Sequence, residues 1–134
     1  MAQILVDTGA IFALIDRRDA NHAAARRILA RLKTQRTAPL VTNFVVAETH
    51  ALLLTRIDAA VARGWLLDLA WPVERVTADD ETRARSIIAR HTDKTFGYVD
   101  STSFAVMERL GLKTAFAFDP HFAQYGFQVV GLAP

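Results

Sequence analysis

A three-layer α/β/α sandwich, built on a mostly parallel central sheet of about four to five strands, is the fold this sequence predicts. Three observations lead there. Short apolar runs alternate with longer stretches of helical periodicity along the whole chain. Acids stand directly after two of those runs, at Asp7 and Asp119, where open parallel sheets carry their sites. The length, 134 residues with 51% apolar content, suits one domain spanning 1–134 with a real core.

The elements follow in order. Gln3–Val6 reads as a short strand, with Thr8-Gly9 turning the chain into an apolar helix, Ala10–Ile15. Asp16–Asp19 is a polar loop. A helix of about 21–35 carries Ala24, Ile28, Leu29 and Leu32 at helical spacing, with Arg26, Arg27, Arg31 and Lys33 around it. Those charges read either as a solvated face or as a contact to a polyanion. Pro39 precedes a second strand, Leu40–Thr42, and Asn43 caps a helix of about 44–55 that is apolar nearly all round, the mark of a buried helix. Asp58 opens a helix to about Ala70, rich in large apolar groups: Trp65, Leu66, Leu69 and then Trp71. Pro72 stops it before a third strand, Val73–Val76. Thr77 or Asp79 starts the amphipathic helix 80–91, and a polar loop leads to a further helix opening at Asp100 and ending at Gly111. Strand Ala115–Phe118, a helical turn Pro120–Tyr125 and strand Phe127–Val130 complete the chain.

Composition removes several classes of function. With no cysteine, disulfides, thiolate metal sites and Cys nucleophiles are excluded. No apolar run approaches the roughly 20 residues of a membrane span, and MAQILVDTG lacks the basic start and long apolar stretch of a secretory signal. A cytoplasmic protein without membrane attachment is expected. The net charge is only +2, so gathering several acids at one place leaves the remaining surface more basic than the total suggests.

Four acids stand out. Asp7 reads as a site residue or equally as a helix cap. Asp100 falls between Phe104 and Met107 on an apolar helical face, where an ionised carboxylate is rarely left unpartnered. Glu48 lies between Phe44, Ala51 and Leu52; a salt bridge to a distant Arg or a purpose-built acidic site would account for it. Asp119 ends its strand. If the first and fourth strands are neighbours, Asp7 and Asp119 face each other where strand order reverses, with Glu48 and Asp100 brought in from flanking helices.

The stretches ILVDTGAIFALID, TNFVVAETHALLL, YVDSTSFAVMERLG and AFAFDPHF, taken together, resemble the PIN-domain nucleases, most closely the small toxins of VapC-type toxin–antitoxin modules. The resemblance covers essentially the whole chain. It implies that Asp7, Glu48, Asp100 and Asp119 form a metal-binding catalytic cluster. Thr8 and Ser101 match polar positions that often support it, although helix capping accounts for both equally well. It further implies an RNA substrate and a small antitoxin as partner.

The chemistry of four converging acids stands on its own. Two carboxylates about 4 Å apart repel by roughly 4 kcal/mol at an effective dielectric near 20. They need a counterion, and oxygen ligands favour Mg²⁺, or Mn²⁺ in its place, over zinc. Such an ion binds a phosphodiester oxygen, activates water and neutralises the leaving oxygen. Divalent-metal-dependent phosphodiester hydrolysis is therefore expected, with Asp7 and Asp100 as the firmest ligands, and the resemblance makes the expected enzyme an endoribonuclease. His22, His50, His91 and His121 are scattered and read as structural, or at most as phosphate contacts. The apolar segment Leu52–Trp71 suggests a homodimer. Three alternatives are an aspartate-based phosphotransfer enzyme, a phospho-accepting signalling domain and a catalytically silent RNA- or protein-binding fold. The first would favour a second acid where Gly9 stands. The second would need an acidic pair after the first strand and a lysine at the end of a late strand, whereas Lys113 precedes its strand.

Overall fold

In the computed structural model, described over residues 2–132, five strands form one parallel sheet in the order β3-β2-β1-β4-β5. The strands are β1 Gln3–Val6, β2 Ala38–Thr42, β3 Val73–Glu74, β4 Thr114–Phe116 and β5 Gln128–Val130. The helices are α1 Thr8–Ile15, α2 His22–Thr34, α3 Asn43–Arg56, α4 Ala59–Asp68, α5 Ala78–Arg90, α6 Tyr98–Leu110 and α7 His121–Tyr125. The expected adjacency of the first and fourth strands holds: Leu5 pairs with Ala115, and Val6 with Phe116.

Alternation along β1 explains the three layers. Ile4 and Val6 join one apolar cluster with Ala10, Ile11, Ile28, Leu32 and Val45. Leu5, between them, joins another with Ile87, Phe104, Met107 and Phe122. Both sheet faces are thus buried under helices, which is why its strands read as continuous apolar runs. On the second face Phe104 of α6 meets Phe122 of α7 with ring centroids 4.9 Å apart and stacks on Tyr125 at 4.6 Å. Aromatic packing of this kind fixes α7 against α6.

Several boundaries differ from expectation, each for a local reason. Pro39 lies inside β2 rather than before it. Ala38 donates to Ala2 on the β1 side and Val41 to the Pro72 carbonyl on the other, so Pro39 faces the β3 side before that short strand begins. No ladder hydrogen bond is lost there. Helix α6 opens at Tyr98, with Gly97 at its N-cap, which puts Asp100 in the first turn rather than at the start. Gly111 ends it at φ 70, and the Leu112 N–H reaches back to the Met107 carbonyl.

The largest correction concerns α3. Only Val45, Thr49 and Leu53 of this helix are buried, an i, i+4, i+8 stripe against its neighbours α1 and α4. Ala47, Glu48 and Ala51 are exposed, and Leu54 is 46% exposed. The helix is a wall with two accessible sides, not a buried rod. In α2, Arg26, Arg27, Arg31 and Lys33 all face solvent. Trp65, Leu69 and Trp71 are half-buried around a cavity of about 460 Å³ that Ile15 and Val61 also line, while Leu67 is 74% exposed.

Candidate metal centre

Asp7 sits where β1 becomes α1, at the carboxyl edge of the sheet. Its backbone N–H donates to the Phe116 carbonyl at 2.9 Å, fixing it beside the end of β4. It occupies the N-cap position, yet its side chain caps nothing. The capping reading therefore fails. The residue is only 3% exposed, and its Oδ1 has no hydrogen-bond partner. Thr8 beside it is 5% exposed, with an equally unpartnered Oγ1. Burying such groups unpaired costs free energy that folded proteins rarely spend without a function.

Asp119 follows β4 after Ala117-Phe118, and its Oδ1 accepts the His121 backbone N–H at 2.8 Å. From the first turn of α6, Asp100 Oδ2 accepts from His121 Nδ1 at 2.7 Å. Glu48 reaches in from α3. These four acids line one cavity of about 450 Å³, together with Thr8, Gly9, Ala51, Leu52 and Thr55. The convergence expected from the sequence is present. Glu48, however, stands on the open rim rather than in a buried pocket, because α3 turns that face to solvent. Ser101 is buried with an unpartnered Oγ, but it does not line the cavity. Neither Thr8 nor Ser101 makes a capping hydrogen bond.

The electrostatics follow from this crowding. Burial raises the Asp7 carboxyl well above its ordinary value; neighbouring Asp119 and then Asp100 push it further the same way. Burial also raises Asp100, with His121 opposing and Asp119 and Glu48 adding to the rise. A second buried acid shows the contrast. Asp80 is also 3% exposed, but it accepts from Arg109 Nε and Nη2 and from the Thr77 backbone N–H. Burial works to raise it, yet those partners outweigh burial and hold its pKa below the ordinary carboxyl value. Asp80 is structural; Asp7 has no basic partner, and only the Thr8 backbone opposes the rise.

The donors fit a hard divalent cation. Asp100, Asp119 and His121 each offer a ligand atom within 4.8 Å of the others, and Asp7 Oδ1 is the unsatisfied oxygen beside them. A cation would supply positive charge at a cavity that no Lys or Arg lines. His121 is the residue that the sequence undervalued. His22 and His91 behave as expected, each placing Nδ1 2.7 Å from a backbone carbonyl, Ala13 and Ile87 respectively. His121 instead touches two of the acids. Its spacing from Asp119 was the only available signal, and its contact with Asp100 arises from tertiary packing.

A parallel sheet clad on both faces, with carboxylates converging at the carboxyl ends of its two central strands, defines a class of metal-binding α/β proteins. Within it this chain belongs to the PIN domain family, which matches residues 4–128. It is 39% identical over 127 residues to the "23S rRNA-specific endonuclease VapC20" of Mycobacterium tuberculosis, covering 92% of this chain and 95% of that protein. The crystal structure of VapC20, described as a sarcin-ricin loop cleaving toxin, superposes with a TM-score of 0.84 over 98% of this chain and 99% of that one, at 36% identity. FitAcB from Neisseria gonorrhoeae shares the fold at a TM-score of 0.68 and 17% identity, covering 94% of this chain and 95% of its own. Among the described residues no helix is long and apolar enough to cross a membrane.

Proposed function

We propose that this chain is a divalent-metal-dependent endoribonuclease, the toxin of a toxin–antitoxin pair, whose activity resides in the single domain 1–134. The observation that carries the reading is Asp7: a buried carboxylate whose Oδ1 has no hydrogen-bond partner, among four converging acids. Its 39% identity to an rRNA-specific endonuclease supports RNA as the substrate. Asp7, Asp100 and Asp119, with Glu48 from the rim, would hold Mg²⁺ or Mn²⁺. The bound ion supplies Lewis acidity at a phosphodiester oxygen and neutralises charge on the leaving oxygen. The chain's own residues do the rest. Glu48, the acid most open to solvent, is placed to take a proton from the attacking water. Ala51 and Leu52 add apolar surface to the lining of the cavity. Aspartyl phosphotransfer lacks support here, since Gly9 lines the cavity where a second acid would be favoured. A small antitoxin is the expected partner, the Leu52–Trp71 segment the contact of a homodimer, and the cytoplasm the place of action.

Purified protein should cleave RNA with Mg²⁺ or Mn²⁺ and stop in excess chelator, with Asp100→Asn reduced to the chelated level. Cleavage that survives chelation, or persists equally in Asp100→Asn, would end this reading. Intact metal binding without cleavage would instead mark a silent RNA- or protein-binding fold.

A further inference from the structure

The structure assigns to His121 the role of a positioning residue: through two donors it sets the orientation of both Asp100 and Asp119 toward the cation, an assignment that rests on the proposed metal site. The imidazole Nδ1 lies 2.7 Å from Asp100 Oδ2, and the backbone N–H of the same residue lies 2.8 Å from Asp119 Oδ1. One residue therefore reaches two acids that arrive on different elements. Nδ1 must carry a proton to donate to a carboxylate, which leaves Nε2 of the neutral ring as an acceptor. Thr95 Oγ1 stands 3.3 Å from Nε2, suited to donate there and hold that tautomer. The Phe96 ring packs edge-on against the imidazole at 5.8 Å, and Phe122, the next residue, is locked against Phe104 of α6. The ring is thus fixed from both sides, by the loop before α6 and by α7.

Partners of this kind fix the direction of a ligand's lone pairs, and losing one costs about 10- to 100-fold in metal affinity. Asp7 needs no such help, because burial holds it. Asp100 and Asp119, with side chains 16% and 36% exposed, would otherwise turn toward water. The alternative, that His121 is itself a ligand, would require Nδ1 to give up the proton that joins it to Asp100, or Nε2 to exchange Thr95 for the ion.

Mn²⁺ binding measured calorimetrically on RNA-free protein tests the assignment. His121→Ala should bind about 10- to 100-fold more weakly than the parent. His121→Asn places an amide N–H where Nδ1 stands and should recover most of the affinity. His121→Gln sets its amide one bond further out and should resemble Ala. A merely structural histidine would lower the melting temperature in chelator while leaving Mn²⁺ affinity unchanged, and that result overturns the assignment. So does directly coordinated ¹⁴N coupling in the spin-echo spectrum of the Mn²⁺-loaded parent, which would make His121 a ligand. A parent that binds no Mn²⁺ overturns the site reading and this assignment with it. A parent that binds and cleaves, beside an unaffected His121→Ala, overturns the assignment alone.

Discussion

Asp7 and Asp80 are equally buried, and pH should separate them in the metal-stripped protein. The folded-state pKa of Asp7 is raised, so the folded chain holds that proton more tightly than the unfolded chain. Its ionisation should therefore cost stability progressively as pH rises above the ordinary carboxyl value of 3.8. Asp80 has the opposite sign: its contribution is present above 3.8 and disappears as pH falls through its depressed pKa. In chelator, Asp7→Asn should melt at an equal or higher temperature than the parent and lose much of the metal-induced stabilisation. Asp80→Asn should lose about 2 kcal/mol, because Arg109 gives up charged hydrogen bonds, while its metal response stays intact. Melting curves with chelator and with Mn²⁺ check both, and an unchanged metal shift in Asp7→Asn would remove Asp7 from the site. The sequence exposed Asp7, Asp100 and Asp119 because each breaks an apolar pattern. Glu48 was noticed for the same reason, but the reason was wrong: its helix is only half covered. His121 broke no pattern at all, since its partners meet it only after α6 and α7 pack.

At the scale of elements, two glycines carry different loads. Gly111 closes α6 with a left-handed φ of 70 and open space around its missing side chain. Gly111→Ala should cost about 1 kcal/mol in urea unfolding and leave Mn²⁺ affinity alone. Gly131, past the end of β5, also has a positive φ, but a Cβ there would collide with the Ala117 carbonyl. That carbonyl lies two residues before Asp119. Gly131→Ala should therefore cost more stability and also weaken Mn²⁺ binding; equal behaviour of the two variants would contradict this. Helix and strand order were legible because both sheet faces are buried and the periodicities are clean. Some strand ends were not, since β3 and β4 stop where neighbours stop pairing, which no local residue announces. Pro39 shows the same limit: its place in the ladder depends on how far the neighbouring strand extends.

For the whole molecule, the α3–α4 side leaves apolar surface that the fold does not use. Leu54, Leu66 and Leu67 are exposed, and two half-buried tryptophans rim an open cavity nearby. Exposed apolar patches of this sort mark association surfaces. Sedimentation should show a dimer at micromolar concentration, and Leu67→Glu should shift it toward monomer without loss of secondary structure. A parent that stays monomeric at every accessible concentration would rule the contact out. The position of β1, central in the sheet between β2 and β4, has a different consequence. Asp7 and Asp119 lie far apart in the sequence, so the cluster is assembled only when β4 pairs with β1. Until that pairing is made the chain holds scattered acids and no cluster. The order of strands thus ties the cluster to completion of the sheet's centre.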